Sequence, residues 1–94
     1  MRVAIIEDLN QRRLKVEGAL IGAGVEEFRD ACSKAREDLL GRDLLIELAD
    51  VIAISQEAEN LLLELINTGV RIRCCGKFAQ YIVTELRRRR RTAA

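Results

Sequence analysis

The run Asp50-Val51-Ile52-Ala53-Ile54 and the segment that follows it constrain this chain more than any other feature. A continuous apolar, β-branched stretch of this length reads as a strand covered on both faces, the central position of a parallel sheet. Ser55 stands where a helix N-cap is needed. From Gln56 to Asn67, Ala58, Leu61, Leu62, Leu65 and Ile66 recur at i, i+3, i+4, i+7 and i+8, so they share one side of a helix. Leu63 lies off that stripe. Thr68-Gly69 stops the helix, and Val70 to Cys74 alternates apolar with basic residues, as an edge strand blunted by arginine does. A strand, a helix and a second strand in this order form a parallel crossover unit.

The same reading extends to the rest of the chain. Arg2 to Ile6 predicts a first strand, ended by Glu7-Asp8. A helix is expected from Asn10 to Gly22, with Leu14, Val16, Leu20 and Ile21 inward and Arg12, Arg13, Lys15 and Glu17 towards water. Gly18 weakens that helix, and Gly22-Ala23-Gly24 stops it. Val25 to Ala31 alternates with a period of two and predicts a short edge strand. Ser33 then caps a helix expected to run to Leu48, in one piece or in two divided at Gly41. A last helix is expected from Lys77 to Arg90, with Phe78, Ile82 and Leu86 four residues apart and Tyr81 beside them. The resulting expectation is an α/β fold with a four-stranded parallel sheet in the flavodoxin-like order 2-1-3-4. Helices would lie on both faces. Residues 1–76 would form the body, and 77–94 an amphipathic C-terminal helix with a basic tail.

In such a sheet function collects at the carboxyl ends of the strands. Those ends would carry Glu7, Asp8, Ser55, Gln56 and Lys77. Glu7-Asp8 is similar to the acidic pair of receiver domains, but Ser55 or Gln56 stands where such a domain needs its phosphorylated aspartate. Gly76-Lys77 is no phosphate loop, because Arg71 replaces the leading glycine and Phe78 the hydroxyl residue. Histidine is absent, which removes the commonest general base and metal ligand. No catalytic residue, metal site, cofactor or small-molecule substrate is expected. Cys32, Cys74 and Cys75 are odd in number and lack C-x-x-C spacing, as free thiols in a reduced cytosolic compartment do. Asn67 to Lys77 resembles part of the DsrE-like sulfur-relay proteins, which would make Cys74 or Cys75 a persulfide carrier.

Charge is unevenly placed. The chain has 16 basic and 15 acidic residues, and five of the basic ones are Arg87, Arg88, Arg89, Arg90 and Arg91. The near-neutral total and the scarcity of aromatic residues argue against a nucleic-acid binder, although an arginine tail on an adaptor is the alternative. The 94 residues, 49% of them hydrophobic, suffice for one small core. A domain this small buries only roughly 60–65% of its unfolded surface, so stability is expected to be modest or shared with a partner.

Read end to end, the chain resembles the F-subunit family of the A-type and V-type rotary ATPases. The likeness is carried by the opening from Met1 to Asp8, by Gly24 to Phe28, by Ala35 to Leu40, by Asp50 to Glu59 and by Leu86-Arg87-Arg88. Glu7 stands for the family's glycine, Cys74-Cys75-Gly76 for a segment with proline, and Leu44 to Ala49 is extra to the pattern. The resemblance implies a non-catalytic central-stalk protein, cytoplasmic and peripheral to a membrane complex. It would dock on the long coiled-coil D-subunit of the rotor, and its C-terminal helix would act as a mobile lever that reaches the catalytic A and B subunits and modulates ATP turnover. It implies partner binding through Phe78, Tyr81, Ile82, Leu86 and Arg87 to Arg91, with membrane contact only through the complex.

Overall fold

A computed structural model describes residues 1–93, with side chains described through Arg89. The elements are β1 (Arg2–Glu7), β2 (Gln11–Leu20), α1 (Ala23–Arg36), β3 (Asp43–Ile54), α2 (Gln56–Asn67), β4 (Arg71–Cys74) and α3 (Lys77–Ala93). The four strands form one sheet in the order β1-β2-β3-β4. β1 and β2 pair antiparallel, while β2–β3 and β3–β4 are parallel. The α/β class and the four strands are as expected. The order 2-1-3-4 and the wholly parallel sheet are not.

The correction starts at β2, a strand where the sequence suggests a helix. Arg12, Leu14, Val16 and Leu20 are buried, while Arg13, Lys15 and Glu17 between them stay partly exposed. On a helix Leu14 and Val16 would point about 200° apart, so no single face could bury both; on a strand they point the same way. The chain reverses through Asp8-Leu9-Asn10, where the Asp8 N–H donates to the Gln11 carbonyl at 2.9 Å. A hairpin therefore opens the fold. Each later crossover then steps outward, from β2 to β3 and from β3 to β4.

The next two expectations are also exchanged. Val25, Phe28, Cys32 and Ala35 are buried at helical intervals, so the predicted strand over Val25 to Ala31 is part of α1. In a strand, Val25 and Phe28 would face opposite ways. Gly24 lets α1 close onto β2, since a Cβ there would lie 2.5 Å from the Ala19 carbonyl oxygen. The helix predicted up to Leu48 instead ends at Arg36, and Leu44 to Ala49 is the first half of β3. Leu44, Ile46 and Leu48 face the core. Register then slips against β2 at Val16/Glu17 and Gly18/Ala19, and Val51 resumes the buried series. Gly18, with φ of 108°, adopts at this bulge a backbone that side chains disfavour. The slips change the buried spacing from two to three, which disguises the strand in the sequence.

From Gln56 onward sequence and structure agree. The Ser55 Oγ accepts from the Ala58 N–H at 3.2 Å and caps α2. The helix closes as a Schellman turn: Val70 N–H donates to Leu65 O and Gly69 N–H to Ile66 O, both at 3.0 Å. Two same-handed crossovers in one direction put α1 and α2 on the same side of the sheet. α3 joins them, because Ala79, Val83 and Leu86 belong to the one core with Leu14, Ile46, Phe28 and Leu62. The result is two layers, with the other sheet face bare, where helices on both faces were expected.

Candidate docking surface

The expected strand-end cluster is not assembled. Because β1 runs antiparallel, Glu7 pairs with Arg12 near the beginning of β2, at the end of the sheet away from Ser55. The Arg12 Nε donates to Glu7 Oε1 at 2.7 Å and its Nη1 to the Ala35 carbonyl at 2.8 Å. Arg42 reaches the same Glu7 oxygen at 3.1 Å and the Asp8 carbonyl at 3.3 Å. The Arg12 hydrogen bond, more than any other influence, holds the Glu7 carboxyl below its ordinary range. Arg12 thus ties the hairpin to the end of α1, and Glu7 holds its guanidinium in place. Ser55 is occupied as a cap, and Gln56 donates to Asn60 at 3.1 Å. β4 ends opposite Leu48, while β3 continues to Ile54, so Lys77 follows a strand end set roughly 20 Å back along β3 from Ser55.

The thiols are similarly dispersed. Burial pushes the Cys32 thiol up to about 11, and Cys32 is enclosed in the core. Cys74 is also raised, chiefly by burial, with the Arg87 charge opposing it. The cation acting on Cys74 is thus Arg87, and the thiol is less acidic than an unperturbed cysteine. Cys75 is exposed. Among the described residues no three His, Cys, Asp or Glu side chains converge to hold a metal, and no helix is long and apolar enough to cross a membrane.

Of the residues expected on a partner-binding α3, Leu86 is fully buried and Ile82 partly so. They seat the helix on the sheet. Phe78 and Tyr81 lie outward, 44% and 66% exposed. Arg87 donates to the Ile72 carbonyl at 2.8 Å, Arg88 pairs with Glu85 at 3.3 Å and Arg89 with Glu59 at 3.3 Å. The side chains of Arg90 and Arg91 lie outside the described ones.

What the fold does bring together is arginine. A cleft of about 680 Å³ between β4 and α3 is lined by Arg71, Arg73 and Arg87. A second, of about 400 Å³, shares Gly69, Val70 and Arg71 with it and adds Arg36 and Arg42. Among the described residues Asp43 is the one acidic side chain lining either cleft. Arg42 is paired with Glu7, and Arg73 with Glu47 at 3.4 Å. Arg36 instead donates to Thr68 Oγ1 at 3.2 Å and Arg87 to a backbone carbonyl. Among the described residues Arg36, Arg71 and Arg87 thus meet no carboxylate. In the sequence Arg71 and Arg73 stand only as gatekeepers of an edge, and nothing in the linear order links them to Arg36 or Arg87.

The bare sheet face continues this surface. Register aligns Ile6, Arg13, Leu45 and Arg71 in one row and Ala4, Lys15, Glu47 and Arg73 in the next. Glu47 is 8% exposed and lies between Arg13, at 3.5 Å, and Arg73. The long arginine stems flank Leu45, which is itself buried. Compared with known proteins, the chain matches no family model, no curated protein and no solved structure.

Proposed function

We propose that this chain is a non-catalytic docking module that holds a partner protein at the β4 edge. The observation that carries the reading is the group Arg36, Arg71 and Arg87, brought to one surface with no carboxylate among the described residues to neutralise it. A cationic surface on a rigid two-layer frame orients an approaching partner and raises its association rate. The edge is also protected from indiscriminate strand pairing. β4 is only four residues long, and α3 side chains occupy its carbonyls: Arg87 bonds Ile72, and Gln80 bonds Cys74 at 3.3 Å.

The rotary-ATPase stalk role is a narrower form of this reading and rests on sequence resemblance. The sheet order differs from the 2-1-3-4 expected from the strand and helix pattern. A lever made of α3 would have to withdraw Ala79, Val83 and Leu86 from the core. The test is affinity capture by the full chain beside its Arg71→Glu variant. A protein retained by the first and lost by the second supports docking at this edge, and recovery of the coiled-coil rotor protein of such an ATPase would restore the stalk role. Equal retention by both chains would refute the proposed surface.

A further inference from the structure

We infer that the partner's contribution to this surface is an extended acidic segment, with carboxylates at alternate positions, laid across the two clefts. The inference rests on the docking reading and specifies its chemistry. Arg71 and Arg73 stand two residues apart on one strand, so their side chains leave the same face at an interval of roughly 6.6 Å. An extended polypeptide presents every second side chain at the same interval. Its carboxylates can therefore reach Arg71, which meets no described carboxylate, and in register the exposed Arg73, whose Nη1 also contacts Glu47 at 3.4 Å. An arginine fork donates two parallel hydrogen bonds to a carboxylate. Arg36 and Arg87, each lining one of the two clefts, extend the cationic track on either side of Arg71.

A nucleic-acid strand also carries regularly spaced anions, but the surface fits it less well. Among the described residues no aromatic side chain lines either cleft to stack a base, and Leu39, Val70 and Ile72 stand among the arginines instead. The chain carries 15 acidic residues, which oppose a polyanion wrapped over a wide footprint. The occupied carbonyls of Ile72 and Cys74 further imply that side chains, rather than an added strand ladder, hold the segment.

Fluorescence anisotropy tests this with the full chain and a labelled peptide of alternating glutamate and serine. A peptide with glutamine for glutamate and an oligothymidylate of matching charge are the comparisons. Saturable binding of the glutamate peptide is expected, weakened about tenfold by Arg71→Ala and further by adding Arg36→Ala. Both side chains are exposed, and circular dichroism verifies that the variants remain folded. The glutamine peptide should bind more weakly. Absence of saturable glutamate-peptide binding, unchanged affinity in Arg71→Ala, or tighter binding of the oligothymidylate would each overturn the inference. Should the capture experiment still show a protein lost on Arg71→Glu, the docking edge survives and only the acidic segment is wrong.

Discussion

Leu86→Ala separates a seated α3 from a detachable one. Leu86 is fully enclosed, and with Ala79 and Val83 it forms the inner stripe of the helix. Truncating a leucine at such a site loses its transfer free energy and leaves a cavity, a cost of about 3 kcal/mol. A domain of this length is typically stable by roughly 5–14 kcal/mol, so the loss is a large share of the total. With a denaturant dependence of about 1.5 kcal/mol/M, the urea midpoint should fall by roughly 2 M. The protein supplies its own local probe, because Tyr81 on α3 is the single tyrosine and tryptophan is absent. Tyrosine fluorescence therefore reports α3, while far-ultraviolet circular dichroism reports the whole fold. If α3 belongs to the cooperative unit, both signals move together in the parent and in the variant. An early tyrosine transition, with the dichroism midpoint unmoved by Leu86→Ala, would refute this reasoning and revive the lever.

Four further outcomes follow from particular residues. Glu7 has a folded-state pKa depressed from its ordinary 4.5, so its stabilising contribution is complete above that value and is lost as pH falls through the depressed one. Glu7→Gln should flatten the acid limb of a stability–pH curve, and Arg12→Ala should lower the melting temperature by removing the main partner of Glu7 and the donor to the Ala35 carbonyl. Leu40 is 88% exposed with φ of 55°, a backbone that suits glycine. Leu40→Gly should thus raise stability by about 0.5–1 kcal/mol in urea titration. A thiol reagent at neutral pH should label Cys75 rapidly, Cys74 slowly and Cys32 only on unfolding, as mass spectrometry of timed samples would show.

How far the sequence reading reached differs by segment. α2 was legible because all of its determinants are local: the Ser55 cap, five apolar residues on one stripe and the Thr68-Gly69 stop. β4 and the beginning of α3 were legible for similar reasons. β2 was misread although Arg13, Leu14, Lys15, Val16 and Glu17 do alternate, because Leu20 and Ile21 beyond Gly18 also suit a short helix. α1 suffered the reverse error, since Val25, Glu27 and Arg29 mimic a strand over too few residues to outweigh Phe28 and Cys32. In the candidate site, the basic α3 and the β4 arginines were recognised, but their meeting with Arg36 was not.

The sequence alone determined that the chain builds a small α/β core and where its second crossover lies. There, turn, cap and apolar stripe depend on residues within a few positions of one another. Only the tertiary structure decided the opening hairpin, the order of the sheet, the bare face and the arginine surface. A strand's hydrogen-bond partners are distant in sequence, so β2 could be settled only against both β1 and β3. Arg36, Arg71 and Arg87 likewise become neighbours only because α1, β4 and α3 pack around a common core.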